Sequence, residues 1–577
     1  MIQHYAAFVI PVLLSTAGHA QVFDWAGQLG GASNQDAYAV QVSPDGFVYM
    51  AGYFQVSIDL DPTPGQDIVS AVGGQNGYVV KLANDGSYIW GRHFSGSTCM
   101  ATALAFGLDG SILIAGTFTG TVDFDPGPGV ANLTAPASTW YFLCGLSPDG
   151  QYQWARRFGS GDPLYDPAIA VDQQGRIHFT GTFSGTMDAN PNDEPGAVHD
   201  LASNGTLDVF ITTFDAQGNF IRAMSFGGTG EDRGRAIAVA PDGHVLVAGQ
   251  YVGTVTIPSS AGGITLANNS GASYNDIFYL KMDPDGDVLW AKKIGGSGYD
   301  RAYALTVGPN GDIYLAGSVE SGADLDPGPG VVTSNSPEAA FYVRLDADGN
   351  YINSFVTQYG GASDNQARAI GLDAAGNVYF AGRFNGAGSG VDFDPGPGST
   401  AYVTNGVSAD GFIAAYAADA SYLWSVQVGS IASGQEWIYD LAVDPAGSCY
   451  AVGHFTSDID MDPGTGTHIF NVIGSSSRDA FILKLDPVGL DLPEGMYGGA
   501  DLVVWPNPSN GPLRVELPGK SGRARMRIMD ASGRVVHAGT VLLGAGGGSD
   551  GMPVAPGLYV VEVEQGGVTH RAQWVRQ

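Results

Sequence analysis

From Val22 onward the apolar positions fall into short runs broken by Gly, Pro, Asp and Asn, with no recurrence at helical spacing. One stretch sets the pattern: "AYAVQV" and "FVYMAGYF" flank the turn "SPDG", and "GYVVKL" and "SYIWGRHF" flank "ANDG". β-branched and aromatic residues fill the runs, which predicts four strands joined as two hairpins. Pro-Asp-Gly favours a type I turn followed by a left-handed glycine, a hairpin geometry.

This pattern recurs seven times. Its turn glycines are Gly46, Gly110, Gly175, Gly243, Gly311, Gly376 and Gly447, spaced by 64 to 71 residues. The second strand of each copy ends at Gly52, Gly116, Gly181, Gly249, Gly317, Gly382 or Gly453. A glycine at that point in every copy predicts a close approach of backbone, most simply by a neighbouring blade. Four-stranded units repeated at this period predict a β-propeller, and seven units predict seven blades. The fourth strand carries Trp90, Trp154, Trp290 and Trp424, with Ile221 and Ile352 in two other copies. The seventh copy ends in "DAFILKLDPVGLDL" without such a strand, whereas "VFDWAGQLGG" near the N-terminus matches "SYIWGRHFSG", with Trp25 in the tryptophan position. The N-terminal strand is therefore expected to complete the last blade and close the ring, leaving no free sheet edge. Over roughly residues 22 to 492 the units resemble the secreted bacterial β-propeller repeats known as SBBP repeats, a resemblance that implies a fold and little chemistry.

After "DLPEGMYGGADL" the period breaks. The last segment contains "VVWPNPSNGPLRVEL", "ARMRIMDASGRVV" and "VAPGLYVVEVEQGGVTHRAQWV", alternating runs that predict a small β-sandwich. These phrases resemble the type A sorting domain of the type IX secretion system of Bacteroidetes, in which "YPNP", "D-x-x-G-R" and a late "G-x-Y" recur in this order. Here they fall at Pro506, Asn507 and Pro508, at Asp530 and Gly533, and at Gly557 and Tyr559, with Trp505 where the family has Tyr. The resemblance implies outer-membrane passage directed by the tail, with the type IX machinery as partner, and a secreted or surface-attached product. Residues 1–20 carry no charged side chain, and "AAFVIPVLLSTA" followed by "AGHA" reads as a secretory signal peptide. The expected organisation is signal peptide 1–20, propeller 21–492, linker 493–500 and sorting domain 501–577. The fold class expected is all-β, a seven-bladed propeller closed by the N-terminal strand, plus a C-terminal β-sandwich.

Charge narrows the partners. The chain carries 25 Lys+Arg against 57 Asp+Glu, a net charge of −32, and from Asp501 onward the balance reverses to +2. An acidic body repels nucleic acid and anionic lipid, and no segment is long and apolar enough for a membrane helix. Cys99, Cys144 and Cys449 are too few and scattered for a disulfide framework or zinc site, and read as buried small hydrophobes.

The recurring phrase "VDFDPGPG", with its near copies, is the candidate chemistry. It places Asp59 and Asp61, Asp123 and Asp125, Asp324 and Asp326, Asp392 and Asp394, and Asp460 and Asp462 in the loops after the second strands. Asp-x-Asp can present two carboxylates to one hard cation, and Ca²⁺ is the candidate. The same residues also accept backbone N–H bonds in Asx-turns. Blade three has Asp188 and Asn190 at this point and blade four, "TVTIPSSAGG", has no acid, an unevenness that favours the turn. Asp232, Asp300 and Glu436 in the blade junctions are expected to join the same acidic face. "DPDGD" at Asp283–Asp287 lacks the later ligands of an EF-hand, and no cofactor motif or nucleophile motif occurs. The expectation is a non-catalytic binding or scaffold module for a glycan or surface protein. The alternatives are a glycan-active hydrolase or lyase using carboxylates near the channel, and a surface protein without a discrete ligand.

Overall fold

In the computed structural model the alternating runs become strands. The described residues are 21–159, 167–190, 199–269, 271, 273–359, 364–388, 390–394, 396, 398–404, 408–430, 433–473 and 478–487, with 503–505, 513–516, 522–530, 535–543, 548–550, 557–565 and 568–576. Among them no helix occurs. The signal peptide expected over residues 1–20 lies outside the described residues. The chain divides into two compact units, the first reaching Pro487 and the second taking in the residues from Val488.

The first unit is built from antiparallel meanders of four strands, a propeller-like arrangement. Arg301–Val307, Ile313–Glu320, Glu338–Leu345 and Tyr351–Val356, for example, pair in sequence order. Two meanders merge into one seven-stranded sheet because Tyr88–Phe106 runs on from one to the next. Its residues 88–94 pair with residues 77–82, and its residues 95–106 with residues 112–123. The final sheet takes its fourth strand from the other end of the chain. Gln21–Leu29 pairs with Asp479–Pro487, from Gln21 opposite Pro487 to Leu29 opposite Ala480. Trp25 stands opposite Lys484 just as Trp90 stands opposite Lys81 and Trp290 opposite Lys281. Its indole Nε1 donates to the Asn84 carbonyl at 2.9 Å.

The cores lie between adjacent sheets. Leu29, Val40, Met50, Phe54, Tyr450, Val452 and Ile482 form one such layer, with no exposed surface. Cys99, Cys144 and Cys449 are buried, as read from the sequence.

The repeated glycine is needed, but mostly for a reason other than the one expected. A Cβ on Gly317 would overlap the carbonyl oxygen of Arg301, in the first strand of its own sheet. The carbonyls of Asp36, Met100, Arg233, Gln366 and Trp437 exclude a side chain in the same way at Gly52, Gly116, Gly249, Gly382 and Gly453. A neighbouring sheet, through the Tyr141 hydroxyl, contributes at Gly181. The obstructing carbonyl belongs to a β-bulge. One residue of the first strand is extra to the pairing, which tips the preceding carbonyl towards the glycine.

The second unit holds two antiparallel sheets, one of Val503–Trp505, Leu513–Glu516 and Gly548–Asp550, the other of Val535–Leu543, Gly522–Asp530, Gly557–Gln565 and Val568–Arg576. In Gly522–Asp530 the alternation is clean: Ala524, Met526 and Ile528 are buried and Arg523, Arg525 and Arg527 exposed. Of the motif residues, Asp530 pairs opposite Tyr559, two residues into the strand begun by Gly557. Pro506, Asn507, Pro508 and Gly533 lie outside the described residues.

Candidate functional site

The Asp-x-Asp loops use their carboxylates on their own backbone. Asp324 Oδ1 accepts the N–H of Asp326 at 3.1 Å and of Val332 at 2.8 Å, and Asp326 Oδ1 accepts the N–H of Gly328 at 2.7 Å. Asp123 and Asp125 repeat this with Asp125, Ala131 and Gly127. Asp392 and Asp394 do so with Asp394, Thr400 and Gly396. Asp460 and Asp462 do so with Asp462, His468 and Gly464. Asp59 bonds Asp61 and Asp67, and Asp61 bonds Thr63. Asp188 holds Asn190 and His199 across a longer loop.

The residue between the two acids is the anchor. Leu60, Phe124, Leu325 and Phe393 have no exposed surface and Met461 is buried too, so in each loop the acids flank a plug into the core. The last glycine of each "PGPG" copy is required as well, because a Cβ on Gly129, Gly330 or Gly398 would strike the second oxygen of Asp125, Asp326 or Asp394. "DPDGD" is likewise a turn, with Asp283 Oδ1 accepting the N–H of Asp285 and Asp287, each at 2.9 Å. Among the described residues no three His, Cys, Asp or Glu side chains gather in a metal-binding group.

The junction acids differ from expectation. Asp232, Asp300 and Glu436 are fully buried and do not join an exposed acidic face. Asp232 accepts N–H bonds from Gly228 at 2.6 Å and Val252 at 2.9 Å, and Asp300 from Gly296 at 2.7 Å and Glu320 at 3.0 Å. Each ties the junction loop to the end of the next second strand. Burial pushes Asp232 up to about 6, Asp300 to about 7 and Glu436 to about 8, the last aided by the charge of Asp410.

What the bulges do is aim side chains. In six first strands the extra residue is Tyr38, Thr102, Arg235, Tyr303, Arg368 or Tyr439. All six line one cavity of about 300 Å³, framed by the first strands of successive sheets. These first strands neighbour one another in turn, and Glu436–Val443 lies beside Gln35–Val42. A bulge re-aims a residue that regular alternation would send into a sheet-to-sheet core. The sequence carried a signal for this, a large residue between two small ones, as in "DAYAV", "RAYAL" and "QARAI".

The rim is aromatic and cationic. Tyr38 stacks on Tyr439 with ring centroids 4.3 Å apart, and on Tyr53 at 5.9 Å. The Arg368 guanidinium lies 4.2 Å from the Tyr303 ring centroid and that of Arg235 lies 5.7 Å from it. Beside Tyr53, Asp36 accepts from Arg478 Nε at 2.9 Å and its other oxygen lies 2.9 Å from His454 Nδ1. Burial opposes the charge of Asp36, but His454 and Arg478 outweigh it and hold the carboxyl below its ordinary range. Burial likewise lowers His454 and prevails over the raising effect of Asp36. Asp440, also in the cavity wall, accepts the N–H of Val40 at 2.9 Å and of Leu441 at 2.8 Å, and burial pushes it up to about 7.

Comparison with known proteins places the two ends of this description differently. The chain is 22% identical over 540 residues to an uncharacterized WD repeat-containing protein, L264, of Acanthamoeba polyphaga mimivirus, covering 80% of this chain and 38% of that protein. It is 29% identical over 164 residues to the regulatory protein FlaEY of Caulobacter vibrioides, covering 28% of this chain and 17% of the relative. The chain thus spans well under half the length of these curated relatives. WD repeats are propeller repeats, in keeping with the meanders of the first unit. Among solved structures, polysaccharide lyase Uly1 aligns over 81% of this chain and 100% of its own at 11% identity, with a TM-score of 0.40. An apocarotenoid oxygenase of Synechocystis aligns over 79% and 95% at 11% identity, with a TM-score of 0.32. Neither likeness carries a function across. Residues 503–576 match the family described as the secretion system C-terminal sorting domain, so the tail of this chain is a sorting domain that directs secretion.

Proposed function

We propose that this chain is a secreted or surface-attached binding module, a seven-bladed propeller of the SBBP type closed by its N-terminal strand. On this reading a signal peptide delivers it across the inner membrane and its C-terminal domain hands it to the type IX secretion machinery. Its ligand is an extracellular glycan or a surface protein, held at the mouth of the central channel. The observation that carries the reading is the repeated bulge, which turns Tyr38, Arg235, Tyr303, Arg368 and Tyr439 out of the cores and into one cavity. Aromatic and arginine side chains turned into a cavity are the groups that anchor ligands.

The test is binding of the mature chain to an array of extracellular glycans and surface proteins, beside a variant with Tyr38→Ala and Tyr439→Ala. Saturable binding lost in the double variant is the expected result. A wild-type chain that binds nothing on the array, or a variant that binds equally well, overturns the channel assignment. One observation favours the glycan-active alternative, namely the Asp440 carboxyl in the cavity wall, held at about 7 by burial. Release of reducing or unsaturated ends from a polysaccharide, abolished by Asp440→Asn, would replace the binding reading with an enzymatic one.

The Asp-x-Asp-Pro-Gly loops act on this reading as turns. Asp324→Ala removes the acceptor for two backbone N–H groups and is expected to cost about 2 kcal/mol, whether Ca²⁺ or chelator is present. Asp324→Asn, which keeps one acceptor oxygen, is expected to cost less than half of that. Calcium enters as the competing outcome: titrated into metal-stripped protein, it is expected to give no heat and no shift in melting temperature. Micromolar binding that stabilises the wild type and not Asp324→Ala would make these loops cation sites.

A further inference from the structure

Three facts about the cavity point the same way. First, its charge runs against that of the molecule. The chain carries 57 acidic and 25 basic residues, yet the charged groups in the cavity wall are Arg235, Arg368 and Asp440. Asp440 is bonded to two backbone amides, and burial pushes it up to about 7, so it offsets the arginines only in part near neutral pH. Second, the two guanidinium groups converge. They reach the same ring, Tyr303, from the first strands on either side of it, at 4.2 Å and 5.7 Å from the centroid. Third, Arg368 has no carboxylate at ion-pair distance and makes no hydrogen bond among the described residues. The cavity residues nearest to it include Tyr303 and a second cation, Arg235, which reaches the same ring. Most other buried or half-buried arginines of the first unit have an anchor: Arg478 holds Asp36, Arg344 holds Asp312, Arg383 holds Asp364, and Arg92 holds the Gly150 carbonyl.

We propose that the cavity is a receptor site for an acidic sugar, a saccharide unit bearing a carboxylate or sulfate. Its anionic group is taken up by Arg368 and Arg235, and its ring lies against Tyr38, Tyr303 and Tyr439. This rests on the channel being the binding site, as argued above, and adds the chemistry of the ligand. A planar guanidinium pairs with carboxylate or sulfate through two parallel N–H bonds, and stacking on Tyr303 fixes its plane beforehand at little further entropy cost. Tyrosine rings supply flat apolar faces with hydroxyls at their edges, which suits a pyranose better than the flexible side chain of an acidic peptide. The cavity volume of about 300 Å³ is at the small end for ligand pockets and admits one or two sugar rings. A long polyanion such as nucleic acid is repelled by the −32 body outside the cavity.

The experiment is calorimetric titration of the full mature chain with four probes: a uronic acid disaccharide, its methyl ester, a 6-sulfated hexosamine and the unsulfated hexosamine. Arg368→Gln is measured alongside, with melting followed for each protein. The expected result is saturable binding of one or both acidic probes, at least about tenfold tighter than the matching neutral probe. That preference is expected to fall about tenfold in Arg368→Gln, while the melting temperature changes little, because Arg368 makes no ion pair or hydrogen bond among the described residues and loses only its contact with the Tyr303 ring. Which of the two acidic probes binds tells carboxylate from sulfate. Equal affinity for acidic and neutral probes, or an acidic preference untouched by Arg368→Gln, overturns the anionic assignment while leaving the channel as a binding site. Absence of binding to all four probes overturns it as well, and only if the array above is also blank does the binding-module reading fall with it.

Discussion

Lowering the pH from 8 to about 5.5 is expected to raise the melting temperature of this protein. Burial pushes the carboxyls of Asp232, Asp276, Asp410 and Asp479 up to about 6, those of Asp300 and Asp440 to about 7, and Glu436 to about 8. In an unfolded chain they titrate near 4. A carboxyl whose folded value is raised binds its proton more tightly in the native state. Its contribution to stability is therefore complete below about pH 4 and is lost progressively from there until pH passes the folded value of about 6 to 8. Other acids work in the opposite direction. Asp172 and Asp346 are held below their ordinary range despite burial, Asp172 by Arg176 and His178 and Asp346 by the backbone and side chain of Asn350. Their contribution is present above about pH 4 and disappears below it. The two sets leave a maximum near pH 4, and relief of self-repulsion in a −32 chain adds to the rise. Glu436→Gln keeps an acceptor for the Ser430 N–H and removes the largest raised value. It is expected to stabilise the protein at pH 8, leave it nearly unchanged at pH 5, and flatten the slope between. A melting temperature that stays level or climbs between pH 5.5 and 8 would refute the account.

The second large effect belongs to the glycine opposite the bulge. Gly317→Ala puts a methyl group onto the Arg301 carbonyl oxygen, in a strand with both faces buried and no room to retreat. The sheet must either flatten its bulge, which turns Tyr303 away from the channel, or break the pairing. The expected loss is about 3 kcal/mol or more, read as a fall in urea midpoint or in soluble yield. Gly46→Ala is the control. It carries a positive φ of 86° but has nothing within 4 Å of the new methyl, and it is expected to cost about 1 kcal/mol. Equal midpoints for Gly317→Ala and wild type would mean that the bulge yields freely, and the channel side chains would then not be held in place.

These two cases mark what a sequence shows about this molecule and what it hides. Turn glycines and the second-strand glycine are visible because each is a local demand of the backbone, repeated at a fixed period. The match of Trp25 to Trp90 is visible for the same reason, and the pairing of Gln21–Leu29 with Asp479–Pro487 follows from it. The bulge is only faintly marked. The large residue between two small ones in "RAYAL" also fits an ordinary alternating strand, and it is the pairing with the partner strand that makes Tyr303 one residue too many. The cavity is hidden, since Arg235, Tyr303 and Arg368 belong to different repeats and meet only in the folded chain. The acids misled in the other direction. Asp300 stands in a Gly-rich junction that looks exposed, and what buries it is the pair of amides at Gly296 and Glu320 that its two oxygens satisfy. Asp-x-Asp left two readings open, a cation loop and a turn, because two acids one residue apart fit both. The apolar residue between them, Phe124 or Phe393, carries the packing.

The pairing of the N-terminal strand with the last sheet also sets an order of events during export. Gln28 hydrogen-bonds to Asp479, 451 residues away, so a segment made long before its partner is among the last to find its place. Closing so long a loop costs little in equilibrium terms, only about 0.6 kcal/mol for each doubling of its length. The cost is time, because partners this distant are slow to meet. Until residues 479–487 arrive, the strand 21–29 has nothing to pair with and the opposite end of the meander series stays open to other chains. A product truncated before that point would keep both edges bare and aggregate. The chain thereby proofreads its own synthesis, since only a molecule made through to Pro487 can complete this sheet.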